Sequence, residues 1–433
     1  MTTHLEKAMK DLSFVNEMQK YISDSKNELY SSIINDRRFF TSRNVFFDEQ
    51  LPYSGNDSEF DFTFSGNAHT LISTWLCQKL PSVKVKDEFA DRYRIAWMPK
   101  TLILMIESGC IIRKSDNKQL GEPINSYILD NRLEFETREN YAQTIELLQG
   151  TTEWSKSIDS CYIMMNQPFF YSGEKQALKK ILTPDVDYIH RYRLRRRISD
   201  ILRIQILEKG IWVDCDSSEI RAKCEFNTIT ADGFLGHRPE MWGRFNVMNE
   251  EEVESIRDIA KTSYLSMFRE LIEINPPNNQ VRGKGRLNFM INRRAAIRGF
   301  YFMIVNMDSS QVGNHFDYSN SYGMDPITTT SLVRNETDIE WERLPAIHHS
   351  KRIPLMVGLR VPETVGLHYH AFTNIGNFID VENSINFDEK TEFILEYDMG
   401  RSEGRLCIFL DAIRLCRYKD GKITIISHED PES

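Results

Sequence analysis

Hydrophobic positions in the first 36 residues recur at alternating three- and four-residue steps, a spacing typical of an amphipathic α-helix. The stripe consists of Leu5, Ala8, Leu12, Val15, Ile22, Leu29 and Ile33. Gln19 and Lys26 fall on the same stripe, which favours a docked helix over a long coiled coil. We interpret residues 1–38 as an N-terminal helical arm that packs on its own domain or contacts a partner, a sister subunit or a membrane face.

From Phe39 onward the pattern changes to short β-rich runs separated by clusters of Gly, Pro, Asn, Asp and Ser. The predicted strands are Asn44–Phe47, Phe60–Phe64, Leu71–Leu76, Tyr93–Trp97, Leu102–Ile106, Tyr162–Met165, Phe169–Tyr171, Phe226–Thr230, Leu287–Ile291, Gly299–Val305, Ile353–Arg360, Leu367–Phe372, Phe393–Tyr397 and Leu406–Leu415. Asp420-Gly421 predicts a two-residue hairpin near the end of the chain. Many strands without βαβ alternation indicate an all-β fold of sandwich or jelly-roll type.

Two helices are expected to interrupt the strands. One spans Glu136–Leu148, and a longer one spans Asn249–Ile274, where apolar side chains recur along one side and Pro276-Pro277 follows. We expect both to be insertions between strands.

The chain has 433 residues, so two domains are expected, and we place them at residues 39–217 and 218–433. The net charge of −9 argues against a dedicated nucleic-acid coat, which would need excess Lys and Arg to neutralise phosphates. Neither a membrane-length apolar run nor a secretory signal is evident. The seven cysteines include no C-x-x-C pair, which favours free thiols in a reducing compartment.

Several segments carry a resemblance to a known family. They are Leu80-Pro81-Ser82-Val83, followed by Tyr93–Trp97 and Leu102–Gly109, then Asn166–Tyr171, Leu287–Arg294 and Asn383–Phe387 before the terminal strands. In this order they resemble landmarks of the double jelly-roll major capsid proteins of nucleocytoplasmic large DNA viruses and their relatives. The likeness spans most of residues 40–426 as a spaced series of short signatures. Residues 168–171 (Pro-Phe-Phe-Tyr) and 290–294 depart from the family pattern, which leaves the subgroup open.

The resemblance implies two tandem jelly-roll β-sandwiches with helical insertions and an N-terminal helix. It also implies a structural, non-enzymatic role in the virion: homotrimers that form pseudo-hexagonal capsomers of an icosahedral capsid, assembled in the host cytoplasm or nucleus. The implied partners are neighbouring capsomers, minor capsid and penton proteins, and an internal membrane reached through the N-terminal helix. A transient poxvirus-like assembly scaffold with the same fold is an alternative.

The competing hypothesis is a non-haem Fe(II) oxygenase on a cupin-like barrel. His315-Phe316-Asp317 with His368 or His370 has the composition of a facial triad. Against it, residues 315–322 have the composition of an exposed loop, and no well-placed Arg follows His368 to bind a co-substrate carboxylate. The sequence therefore assigns no catalytic, cofactor-binding or metal-binding residue, and predicts no cofactor.

Basic runs are candidate binding sites for nucleic acid or an anionic inner surface. Four arginines alternate on one face of a predicted strand within His190–Arg197, and further basic residues follow at Arg282, Lys284, Arg286, Arg293, Arg294 and Arg298. We favour ion pairing with the acidic excess, because aromatic residues are not interleaved on the same face. Asp185/Asp187, Asp214/Asp216 and Gly283-Lys284-Gly285 lack the context of a metal or phosphate site, and His348-His349 is interpreted as a loop pair.

Overall fold

The computed structural model describes residues 46–56, 58–64, 70–137, 139–166, 187–246, 264–276, 278–311, 314–334, 338–372, 385–419 and 422–426. The N-terminal arm, Phe169–Tyr171 and Asp185 lie outside this part of the chain, so the predictions made for them remain predictions. Asp187 is described, and its carboxylate lies 3.4 Å from the Lys114 ammonium.

Strands dominate the described residues. They are β1 (Phe46–Gln50), β2 (Tyr53–Gly55), β3 (Glu59–Phe64), β4 (Thr70–Leu80), β5 (Val83–Val85), β6 (Tyr93–Trp97), β7 (Ile106–Arg113), β8 (Lys118–Ile124), β9 (Ser157–Ile158), β10 (Cys161–Asn166), β11 (Tyr188–Leu194), β12 (Leu202–Glu208), β13 (Ile211–Asp214), β14 (Cys224–Phe226), β15 (Glu240–Asn246), β16 (Tyr264–Ile274), β17 (Gln280–Asn306), β18 (Ile327–Arg334), β19 (Asp338–Pro345), β20 (His368–Ala371), β21 (Ile385–Lys419) and β22 (Lys422–Ile426).

The helices are short and lie between strands. They are α1 (Thr101–Met105), α2 (Ser126–Glu136), α3 (Tyr141–Leu148), α4 (Ile198–Ile201), α5 (Glu219–Lys223), α6 (Met307–Gln311) and α7 (Ile353–Met356), with a 3-10 turn at Asp87–Phe89 and a π-helix at His348–Arg352.

The N-terminal half contains two main sheets around one apolar core. Their strand orders are β1-β15-β4-β10 and β2-β3-β11-β7-β8, and the small sheets β13-β12-β6 and β14-β5-β9 flank them. The strand pairs among the described residues of this half are antiparallel, and alternate residues of β3 and β11 point into the core, as period-2 geometry requires.

The C-terminal half is a sandwich built on two long strands, β17 and β21, which each run through both layers. One layer contains β16, β20, residues 296–306 and residues 404–418. The other contains β18, β19, residues 284–291 and residues 391–398. Gly400, with a φ of 62°, lies where β21 passes between the layers, and a left-handed backbone there suits glycine. Four strands per layer with this crossing connectivity is the arrangement of a jelly roll.

Aromatic side chains fill the space between the two layers. The ring of Phe393 lies 5.2 Å from that of Phe300 and 5.3 Å from that of Phe302, centroid to centroid. Tyr301 and Met303 alternate with these residues and point to the outer side of the sheet, where a second apolar cluster covers them. Because both faces are buried, the run Gly299–Val305 is continuously apolar rather than alternating.

Four secondary-structure predictions were wrong. Of the predicted strand Phe226–Thr230, only Phe226 lies in a strand, β14. Residues 264–274 of the predicted helix Asn249–Ile274 form strand β16, and residues 249–263 lie outside the described part. Leu271 and Ile272 are both buried, in clusters on opposite sides of the sheet, so the strand shows no polar alternation. The predicted strand Leu102–Ile106 is mostly helix α1, and the predicted strand Ile353–Arg360 begins as helix α7. Short apolar runs do not distinguish a buried strand from a buried helix by periodicity.

Other predictions were close. The predicted helix Glu136–Leu148 corresponds to α3, while Glu136 ends the preceding helix α2. Lys419 and Lys422 oppose each other across Asp420-Gly421, as a two-residue hairpin connection requires. Strand β15 pairs with β4 and β1 of the N-terminal half, so residues 240–246 join that half, and the boundary at 217/218 remains a prediction. The six cysteines whose side chains are described are free thiols, as expected.

Candidate functional site: the buried interface between the two sandwiches

Helix α2 lies between the two halves and packs against both, on the N-terminal side in the core and on the C-terminal side in the apolar cluster on the outer face of the sheet. Leu129 and Leu133 pack into the N-terminal core, whereas Ile128 and Phe135 pack against Tyr301 and its neighbours in the C-terminal half. The helix begins at an N-cap, because the Asn125 side chain accepts a hydrogen bond from the Ile128 amide at 3.0 Å. A helix that is buried on several sides carries no single apolar stripe, and this one belongs structurally to both sandwiches.

Two carboxylates of α2 are buried and share one cation. Asp130 is 0% exposed and Glu134 1% exposed. The Lys100 ammonium, from the residue before α1, contacts Asp130 and lies 2.7 Å from Glu134 Oε1. Buried charges are stable only when they are paired and hydrogen-bonded. Lys100 has a left-handed backbone (φ 53°), an unfavourable conformation for a non-glycine residue that this pairing helps to hold.

Glu134 joins the two halves directly. Arg360, from the C-terminal half, places a guanidinium nitrogen 3.1 Å from Glu134 Oε2, and its backbone N–H donates to the Phe135 carbonyl at 2.7 Å. The Tyr141 hydroxyl donates to Glu134 Oε1 at 2.5 Å, and the Arg360 guanidinium lies 3.5 Å from the Tyr141 ring centroid. Burial alone would raise the pKa of Glu134, but Lys100 and these donors hold it below its usual value. The carboxylate is therefore ionised at neutral pH.

Asp130 has a second contact across the interface. The Tyr318 hydroxyl, also from the C-terminal half, donates to Asp130 Oδ2 at 2.6 Å. Burial raises the pKa of Asp130 above its usual value, and Lys100 offsets this only in part. Burial would lower the pKa of Lys100, but Asp130 and Glu134 raise it, so Lys100 remains charged.

A second charged cluster lies at the C-terminal end of α2. Arg269 of β16 forms a bidentate pair with Asp411 of β21, at 2.6 and 2.9 Å, and another of its nitrogens lies 2.8 Å from Glu136 Oε1. The hydroxyl of Tyr301 donates to Glu136 at 2.8 Å, and that of Tyr369 donates to Asp411 at 3.0 Å. Burial would raise the pKa of Glu136, but the guanidiniums of Arg132 and Arg269 lower it to about 2.

These two clusters hold the sandwiches in one relative position. Each carboxylate faces a cation and at least one hydroxyl donor, so the arrangement has few unsatisfied groups and strict geometry. Sequence reasoning missed all of these residues, since the partners are distant along the chain. The only local signal was an acidic residue, Asp411, inside the apolar run Leu406–Leu415.

The residues of the hypothetical iron site have separate partners. His315 Nδ1 lies 2.8 Å from Ser310 Oγ, and Asp317 accepts hydrogen bonds from the hydroxyls of Ser309 and Ser319. His368 Nε2 lies 2.9 Å from Asp325 Oδ2 instead. The described residues contain no group of three or more His, Cys, Asp or Glu side chains arranged to hold a metal ion.

His349 and His370 form a buried pair. Their Nδ1 atoms are 3.2 Å apart, and His349 Nε2 lies 2.7 Å from Thr330 Oγ1. The His370 ring stacks on Trp341 at a centroid distance of 3.9 Å. Burial lowers the pKa of both imidazoles, that of His370 to about 3. The pair His348-His349, predicted to lie in a loop, is part of the π-helix, and His349 points inward.

The basic run His190–Arg197 is largely neutralised within the chain. Arg191 pairs with Asp61 at 2.7 Å, and Glu107 lies 3.0 Å from Arg193 and 3.5 Å from Arg195. The ion pairing expected for this run is present for these three arginines.

Five further basic and acidic candidates also have local partners. Arg282 pairs with Glu403 at 3.2 Å and Lys284 with Asp398 at 3.1 Å. Arg286 donates to Asn288, Asp214 accepts from Gln205, and Asp216 accepts from the Ser218 amide. The structure brings none of them together as a site, and Arg298 is buried in the sheet.

Comparison with known proteins gives a result for the fold alone. No protein-family model matches the sequence. No curated protein matches it either. Among solved structures, PBCV-1 VP54, fitted into a reconstruction of the virophage Sputnik, superposes with a TM-score of 0.62 at 9% identity, covering 90% of this chain and 98% of that one. The Faustovirus major capsid protein gives 0.62 at 8% identity, with 90% and 92% covered. The chain has a double jelly-roll fold.

A third structure, of the Sputnik virophage, superposes with a TM-score of 0.55 at 8% identity and covers 90% of each chain. The double jelly roll of this chain therefore matches those structures over nearly their full length, with both sandwiches included. Within the described residues, no helix has the length and apolar content needed to cross a membrane.

Proposed function

We propose that this chain is a structural protein of a virus particle, a major capsid protein without catalytic activity. Its trimers form the pseudo-hexagonal capsomers of an icosahedral shell. The observation that supports this best is the fusion of two jelly rolls in one polypeptide, locked together by α2 and its two charged clusters. Three such chains present six sandwiches, and a closed three-fold ring needs only one type of heterologous interface.

A rigid connection between the sandwiches suits this role. If the two halves moved independently, six sandwiches would not hold a hexagonal outline, and neighbouring capsomers would not meet in register. Buried ion pairs contribute specificity of geometry more readily than stability. The partners we propose are neighbouring capsomers, minor capsid and penton proteins, and an internal membrane contacted through the N-terminal helix. Assembly would take place in the host cytoplasm or nucleus.

The molar mass in solution tests the trimer. Size-exclusion chromatography with light scattering is expected to give three times the chain mass of 50.7 kDa, and electron microscopy is expected to show pseudo-hexagonal particles. A monomer or a dimer over the whole concentration range would contradict the proposal. Mass spectrometry of purified mature particles then separates a capsid protein, which they retain, from a transient scaffold, which they lack.

A further inference from the structure

The segment between β19 and β20 exposes an unusual helical face. Residues 346–356 are continuously helical, first through the π-helix and then through α7. His349 and Pro354 point inward and are buried. The outward side, which we call the 347–356 face, consists of Ile347, Lys351, Arg352, Leu355 and Met356.

The aliphatic members of this face are more exposed than a folded protein usually leaves them. Leu355 is 70% exposed, Met356 71% and Ile347 58%. Single exposed hydrophobic residues are ordinary, but a cluster on one helix marks an interaction surface.

The charge of this region is opposite to that of the whole chain. The chain has a net charge of −9, yet residues 343–362 contain no Asp or Glu. Arg343 and Arg360 pair with glutamates elsewhere. In the part of the chain that the structure describes, Lys351 forms no ion pair, and Arg352 contacts only the imidazole of His348, at 3.2 Å. The 347–356 face therefore combines aliphatic side chains with uncompensated positive charge.

We propose that the 347–356 face binds the surface of an anionic phospholipid bilayer. A helical face on which basic residues flank aliphatic ones is typical of a helix that lies in the membrane interface. The apolar side chains of such a helix lie among the acyl chains, and its cations lie at the phosphates. A nucleic acid would leave the aliphatic side chains in water. A second protein is also disfavoured, because five side chains on a convex helix supply far less than the roughly 800 Å² per partner of a standard interface.

Vesicle flotation with the purified full-length protein tests this assignment. The protein is expected to float with vesicles of phosphatidylcholine and phosphatidylserine, and not with phosphatidylcholine alone. High salt should weaken the binding, since exposed charges are screened. The double variants Leu355→Ser/Met356→Ser and Lys351→Glu/Arg352→Glu should each lower the partition coefficient by at least about tenfold.

The control variant is Ile211→Ser, which removes a side chain that is 68% exposed in the N-terminal half. It should bind as the unchanged protein does. Failure of the folded, unchanged protein to float with anionic vesicles overturns the assignment. So does a result in which the double variants bind normally. If these variants instead lower the molar mass measured by light scattering, the face contacts another copy of the chain, and the lipid assignment is wrong.

Discussion

Lys100 shows how a single buried charge holds the two halves together. Its ammonium lies between Asp130 and Glu134, and only 8% of the residue is exposed. Lys100→Met would leave two buried carboxylates with too few cations, which in comparable sites costs about 3–5 kcal/mol of unfolding free energy. Denaturant titration of the variant and the unchanged protein measures this loss.

A matched control removes a cation at the surface. Arg282→Met breaks an exposed pair with Glu403 and should change the unfolding free energy by no more than about 1 kcal/mol. Adding Asp130→Asn to Lys100→Met should restore part of the stability, because Lys100 is the cation that pairs with Asp130, whereas Glu134 still has Arg360. Equal effects of Lys100→Met and Arg282→Met would show that the buried pairing is energetically unimportant.

Residues of this kind could not be predicted from the sequence. Lys100 and Asp130 are thirty positions apart, and Arg360 lies in the other half of the chain, so no spacing indicates that they meet. By contrast, ion pairing was predicted correctly for Arg191 and Arg193, because a strand of known period presents them to the carboxylates of adjacent strands.

At the scale of elements, the His349–His370 pair joins the π-helix to β20. No described carboxylate hydrogen-bonds to either ring. The two rings contact each other, and their neighbours include Thr330, Trp341, Phe302 and Phe372. The pKa of His370 is about 3 in the folded protein and near 6.5 in the unfolded chain. Between pH 3 and pH 6.5 the unfolded chain therefore binds more protons than the folded protein does. Stability is therefore complete above pH 6.5 and falls as the pH drops towards 3. At pH 5 the loss from His370 is about 2 kcal/mol.

The variant His370→Gln tests this dependence. It keeps an amide that can hydrogen-bond to His349 but does not titrate, so its melting temperature should fall less than that of the unchanged protein between pH 7 and pH 5. His348→Gln, in the same π-helix but bonded to Arg352 at the surface, should keep the original pH dependence. Thermal melts at the two pH values measure both. If the melting temperature of His370→Gln fell between pH 7 and pH 5 as much as that of the unchanged protein, the role assigned to this ring would be refuted.

The sequence predicted secondary-structure elements correctly where the hydrophobic pattern fits a strand or a helix but not both. The run Gly299–Val305 was predicted as a strand, and it lies within β17. Residues 264–274 were predicted as a helix because Leu265, Phe268, Leu271 and Ile272 also fit a helical period, yet they pair with β21 along their whole length. Sheet pairing over eleven residues outweighs a local helical preference, which is worth at most about 0.7 kcal/mol per residue.

At the scale of the whole molecule, α2 makes the two sandwiches one folding unit. Chains of this size often unfold domain by domain, with a separate transition for each core. Here one helix supplies side chains to the N-terminal core and to the outer apolar cluster of the C-terminal half, and Glu134 and Glu136 bond to residues of the C-terminal half. Unfolding either sandwich would therefore expose one face of α2 and break both charged clusters.

We consequently expect a single cooperative transition in calorimetry. Phe135→Ala should lower the free energy of unfolding by about 3–5 kcal/mol and divide the transition in two. The reason is that it removes the ring with which α2 packs against the C-terminal half. Phe64→Ala, which removes an equally buried ring from the N-terminal core away from α2, should lower the single transition without dividing it. Two resolved transitions in the unchanged protein would mean that the sandwiches are coupled only by the covalent chain. In that case the rigid geometry that a hexagonal capsomer requires would have to come from contacts between subunits.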